Sequence, residues 1–212
     1  MRNRYNEQLE QLNNEMVMLG SLCENAIASA AKSLIDGDMA LTRQVTELSQ
    51  QIEQKERDIV SMCLKILLQQ QPVATDLRTV SSALKMVTDM KRIGDQSADI
   101  AEIVRMAHIA ESDNMLNIHD MAVATIKMVT DSIDAFVNQD METAMTVIRY
   151  DDVVDNCFDA VKGKLIELFS KPETDGEYAI DLLMIAKYFE RIGDHAVNIA
   201  HWVLFSITGK LD

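Results

Sequence analysis

The chain has 212 residues, with 34 acidic side chains against 20 basic ones and a net charge of −14. That surplus argues against a nucleic-acid backbone or an anionic membrane surface as partner, and favours basic partners, cations or plain solubility. Only 7 Gly and 2 Pro punctuate a sequence that is 48% apolar and contains 14 Met, which predicts long helices, because these two residues are the main breakers.

In chain order, the first helix is expected over roughly 5–36, closed by the turn Asp36-Gly37-Asp38, whose last residue caps the next helix. The second, roughly 38–70, carries the seam Leu41, Val45, Leu48, Ile52, Lys55, Ile59, Met62, Ile66, with the four-and-three spacing of a left-handed bundle. Pro72 stands where the third helix, roughly 73–110, has its first turn, a position that proline tolerates. Ser112-Asp113-Asn114 reads as the joint between two halves, and a fourth helix follows over roughly 114–138. Asn138-Gln139-Asp140 repeats the earlier turn, and the fifth helix, roughly 140–170, has the seam Val147, Asp151, Val154, Phe158, Val161, Leu165, Leu168. Beyond Pro172, the sixth spans roughly 175–208 along Leu182, Ala186, Phe189, Gly193, Ala196, Ala200, Val203, Ile207. The expected fold is all-α, six long helices forming two tandem pseudo-symmetric three-helix bundles, 1–111 and 112–212.

Cys23, Cys63 and Cys157 are odd in number and form no CxxC, and the start lacks the apolar core of a signal peptide. No run of about 18 apolar residues is present. A reduced, cytoplasmic protein with no membrane insertion is the expectation.

One helix is written twice. Lys91-Arg92-Ile93-Gly94-Asp95-Gln96-Ser97-Ala98-Asp99-Ile100-Ala101 returns 99 residues later as Glu190-Arg191-Ile192-Gly193-Asp194-His195-Ala196-Val197-Asn198-Ile199-Ala200. Mid-seam Gly94 and Gly193 each cost about 1 kcal/mol relative to Ala. Either the helices approach closely there, or the missing side chain leaves room beside neighbouring acids.

The second copy is the one that asks for a cation. Asp151 interrupts an apolar seam, Asp155 follows one turn on, and Glu190, Asp194 and Asn198 form an i, i+4, i+8 stripe. Like charges at i, i+4 destabilise a helix, and a carboxylate driven into a seam costs more unless it is paired or coordinated. If the fifth and sixth helices are neighbours, these donors suit a cation bound through oxygen: Fe, Mn, Mg or Ca, with Zn also considered. The alternative is a solvated acidic face laced by Lys187, Arg191 and nearby bases. In the first copy Lys91 replaces Glu190 and Ile52 stands where Asp151 would be, leaving Glu53, Glu56, Asp95 and Asp99. Lys91 and Asp95 form an i, i+4 ion pair on their own, so a first-half site is expected to be absent or weak.

His195 and His201 flank the second cluster, but no His follows a carboxylate at the Glu-x-x-His spacing of di-iron bundles. No local signature supports a catalytic triad, a Gly-rich phosphate loop or a basic–aromatic nucleic-acid patch. No catalytic residue or organic cofactor is therefore assigned. Trp202 and Phe205 are expected in the core.

These residues carry a resemblance. The segment Glu190 to Ala200 resembles the signature helix of the PhoU family, and Gln69-Gln70-Gln71-Pro72-Val73-Ala74-Thr75-Asp76-Leu77-Arg78 resembles its second hallmark. The resemblance implies two three-helix bundles and a non-enzymatic adaptor that represses the phosphate-starvation response when phosphate is plentiful. It also implies partners: components of a phosphate ABC transporter and the sensor histidine kinase of a two-component system. Some members hold multinuclear metal clusters at E(D)xxxD motifs, which here fall on Asp151 with Asp155 and on Glu190 with Asp194. Asp95 with Asp99 matches only out of register. A homodimer is expected as well. The alternatives are a metal-dependent carboxylate-bundle enzyme and an accessory regulator of another phosphate transporter class.

Overall fold

The computed structural model describes residues 2–70, 74–107, 109, 118–169 and 176–210. Six helices account for nearly all of them: α1 Arg2–Asp36, α2 Met39–Gln70, α3 Ala74–Ala107, α4 Ile118–Asn138, α5 Met141–Phe169 and α6 Gly176–Thr208. The expected elements are all present, with α1 beginning earlier than its apolar pattern. Pro72, Pro172, the joint Ser112-Asp113-Asn114 and the division at 111/112 lie outside the described residues.

The two expected turns are built alike. At the first, Gly37 takes φ 65°, and the Ala40 N–H donates to Asp38 Oδ1 at 2.8 Å, capping α2. At the second the left-handed position falls on Gln139, φ 53°. Its side-chain amide donates to the Phe136 carbonyl at 2.9 Å. The Thr143 hydroxyl donates to Asp140 Oδ2 at 2.7 Å and the N–H groups of Thr143 and Glu142 to Oδ1 at 3.2 and 2.9 Å, which together hold its carboxyl below the usual range.

The seams read from the sequence become the core. Val147, Val154, Val161 and Leu165 of α5 are buried, as are Leu182, Ala186, Phe189, Gly193, Ala196, Ala200 and Val203 of α6. Helices α1, α2 and α3 pack on one another, and so do α4, α5 and α6. Each set buries one apolar stripe per helix, the economy of a three-helix bundle.

Between the sets, α3 packs on α6 and α1 on α4. Each of these helices thus meets its own counterpart, the arrangement of a pseudo-two-fold axis. The α3–α6 pairing is antiparallel: Lys85 lies over Trp202, Asp89 meets Asn198 and Asp99 faces Tyr188. The same register sets Gly94 opposite Gly193, so the axis passes at the two equivalent glycines. Trp202 is half-buried there, edge-on to Phe205 with centroids 5.8 Å apart. Among the described residues, no helix is long and apolar enough to cross a membrane.

Candidate metal centre

Helices α5 and α6 are packed neighbours, so the two acidic pairs of the second half confront each other. Gly193 sets their spacing. A Cβ at this position would stand 3.3 Å from Asp151 Oδ1 and 3.4 Å from Val154 Cγ1, so the α6 backbone comes within van der Waals reach of the Asp151 carboxylate. Burial pushes the Asp151 carboxyl up to about 6, reinforced by the charges of Asp155, Asp194, Glu190 and Asp152. Asp194 is raised for the same reasons, burial first and then Glu190, with Asp155 adding to it and Lys187 and His195 opposing. The four carboxylates Asp151, Asp155, Glu190 and Asp194 therefore form one electrostatic cluster, whose charges act together on Asp151 and Asp194.

Glu190 shows the consequence at the level of one atom. Its Oε2 is buried and accepts no hydrogen bond. The Lys187 ammonium lies 2.5 Å away, one turn earlier on α6, and forms an ion pair with it. The same ammonium stands 5.3 Å from the centroid of the Phe158 ring. Among the described residues, no three carboxylate, imidazole or thiol groups already converge on one point at coordination distance. The donors stand on facing helix shafts, with Lys187 on the buried Glu190 oxygen. Four oxygen donors of like charge, with one lysine among them, fit a hard or borderline divalent cation by their chemistry.

Asn198 is not brought to this cluster. Its amide N–H donates to Asp89 Oδ1 of α3 at 3.3 Å, beside His195, whose Nδ1 lies 2.9 Å from the same oxygen. The stripe expected from i, i+4, i+8 spacing thus divides: Glu190 and Asp194 serve α5, while His195 and Asn198 serve the other bundle. Asp89 precedes His195 by 106 residues, and no local pattern announces that pairing. Of the bases expected to lace this face, Lys187 does so, three residues before Glu190 on the same side of α6, while Arg191 acts at the bundle boundary.

The first bundle has the same backbone arrangement with different chemistry. A Cβ on Gly94 would stand 2.9 Å from Ile52 Cδ1 and 3.0 Å from its Cγ2, so Ile52 occupies in three dimensions the place that Asp151 holds in the second bundle. Ile52 is 0% exposed. Asp95 Oδ2 receives Lys91 Nζ at 2.6 Å and has Arg92 3.8 Å away. Glu53 pairs with Arg57 at 2.9 Å, and Glu56 is half-buried on α2. Asp99 turns to the bundle boundary, where burial, Asp95 and Glu102 raise its carboxyl against the pull of Arg191 on α6. There it lines an open cleft of about 370 Å³ with Glu102, Met106, Asp181 and Tyr188. An apolar side chain at the centre and a lysine on the acid do not fit a metal ion.

The sequence matches the family profile described as the PhoU domain twice, over residues 17–104 and 118–203. It is 32% identical, over 97% of its length and 86% of the relative's, to the phosphate-specific transport system accessory protein PhoU homolog of Pseudomonas aeruginosa. The protein of the same description from Clostridium acetobutylicum is 29% identical, with 97% and 95% covered. Among solved structures, PhoU from Pseudomonas aeruginosa superposes with a TM-score of 0.90 at 32% identity, covering 97% of this chain and 100% of that one.

Proposed function

This chain belongs to the PhoU family, and on that premise we propose that it is an accessory protein of a phosphate-specific transport system that restrains phosphate uptake and phosphate-starvation signalling. In this reading it is a cytoplasmic adaptor, not an enzyme. It relays the state of a phosphate ABC transporter to a sensor histidine kinase. The observation that carries the reading is the match of both repeats, over nearly the whole chain, to relatives described as accessory proteins of that transport system. The test is deletion of the gene, with a phosphate-starvation reporter measured in high phosphate. Derepression is expected; unchanged repression would sink the adaptor role. A homodimer belongs to the same reading, and light scattering on the purified protein checks it.

The second bundle is proposed as a divalent metal site, held by Asp151, Asp155, Glu190 and Asp194. The facing acidic pairs of α5 and α6, the approach of Asp151 to Gly193 and the raised Asp151 and Asp194 carboxyls support it. When bound, the ion would supply positive charge that offsets the repulsion among these carboxylates; the chain supplies the oxygen donors and the Gly193 notch that admits Asp151. The first bundle, with Lys91 on Asp95, is proposed to hold none. Metal analysis of Asp155→Ala and Glu190→Ala beside Lys91→Glu decides. Loss in the first two is expected, with retention or gain in the third; equal metal in all refutes the asymmetry.

A further inference from the structure

We propose that Lys187 is the resident counter-ion of the α5–α6 carboxylate cluster, and that a divalent metal ion enters by displacing its ammonium from Glu190. The inference rests on the metal reading of the second bundle and goes beyond it, since it assigns the residue that opposes loading. Among the described residues, Lys187 is the cation whose ammonium reaches a buried oxygen of the cluster, 2.5 Å from Glu190 Oε2. Its charge also acts on Asp194, drawing that carboxyl back down. Arg191, the other base on this turn, acts instead on Asp99 and Tyr188 at the bundle boundary.

Burial is unequal across the pair. The Glu190 side chain is 15% exposed and that of Lys187 43%, so the acid stays put and the lysine can withdraw into water. An ammonium and a metal ion cannot both occupy one carboxylate oxygen, and each repels the other through a partly desolvated gap, where charge interactions are stronger than in bulk water. Loading is therefore an exchange: the ion takes the oxygens, and Lys187 swings to solvent with its proton. The first bundle shows what happens when exchange is blocked. Lys91 holds Asp95 from 2.6 Å, but Ile52 fills the place of Asp151, so an incoming ion would lack the central carboxylate there.

The experiment titrates Mn²⁺ into the full chain by calorimetry, for the wild type, Lys187→Met, Lys187→Gln and Glu190→Gln. In parallel, acetylation of Lys187 is followed by mass spectrometry with and without Mn²⁺, using exposed Lys162 as the internal standard. About tenfold tighter Mn²⁺ binding is expected in both Lys187 variants, with much weaker binding in Glu190→Gln. Acetylation of Lys187 is expected to rise severalfold once Mn²⁺ is bound, while that of Lys162 stays constant. Unchanged or weaker binding in a folded Lys187 variant, or Lys187 labelling indifferent to Mn²⁺, overturns the exchange while the Glu190→Gln loss upholds the metal site. No Mn²⁺ binding to the wild type or to either Lys187 variant overturns the site and the exchange together.

Discussion

Asp151→Asn tests how much stability the second bundle gives up to keep its acids together. In the folded protein Asp151 keeps its proton up to about 6, against 3.8 for an ordinary aspartate. Below 3.8 both folded and unfolded chains hold the proton, and the residue carries no penalty. As pH rises through this window, the unfolded chain releases its proton first, so stability is lost with rising pH and the loss is complete above about 6. At about 1.36 kcal/mol per pH unit the full effect is about 3 kcal/mol. The side chain is only half-buried, and water screens its neighbours, so about 1–2 kcal/mol is the working figure. An asparagine has nearly the same shape and no charge. In a chelating buffer, Asp151→Asn is therefore expected to gain about 1–2 kcal/mol at pH 8, read as a higher urea midpoint and a melting temperature raised by about 4 °C. Most of the gain should vanish by pH 4. A variant less stable than wild type at pH 8, or an equal gain at both pH values, refutes the reasoning.

The two equivalent glycines should respond differently to alanine. Gly94→Ala drives a methyl to 2.9 Å from the buried, β-branched Ile52, and a net loss of about 1–2 kcal/mol is expected in urea unfolding. At Gly193 the nearest atom is the Asp151 carboxylate oxygen at 3.3 Å, which can turn aside, so Gly193→Ala should fall within about 0.5 kcal/mol of wild type. Asp89→Ala removes the acceptor shared by His195 and Asn198; about 1–2 kcal/mol should be lost, and a double-mutant cycle with Asn198→Ala should show less than additive losses. Joining Ile52→Asp to Lys91→Glu restores the facing acids of the first bundle, and bound Mn²⁺ per chain should rise above the wild-type value in metal analysis. A folded double variant with unchanged metal content would show that these two positions do not account for the difference between the halves.

Much of the fold is legible in the sequence because long helices write their buried stripe at a fixed period. The α5 and α6 seams stand in the sequence residue by residue, and both turns carry the Asp that caps the next helix. The 99-residue repeat also located the equivalence of Ile52 with Asp151, which the packing against Gly94 and Gly193 bears out. The two explanations offered for those glycines turn out to be one: each admits a neighbouring side chain by helix approach, an isoleucine in one half and a carboxylate in the other. What the period does not encode is how two bundles dock. Asn198 and Asp99 lie on the stripe that helical spacing assigns to the acids, yet both turn across the α3–α6 boundary. Their partners are contributed by the other repeat, so only the assembled pair decides which way they face.

The axis at Gly94 and Gly193 has a historical reading. An interface in which α1 meets α4 and α3 meets α6, each its own counterpart, is isologous, the kind that two separate copies of one repeat make with each other. While such copies are separate molecules, any substitution appears on both sides of the axis at once. Once they are joined in one chain, each side is free to change alone. The boundary bears that mark: the Asp89–His195 pair has as its mirror image Tyr188 and Gln96, so the polar clasp survives on one flank only. A lysine that neutralises one half and a carboxylate that leaves the other hungry for charge are the same kind of divergence, which a symmetric assembly of identical chains could not have accumulated.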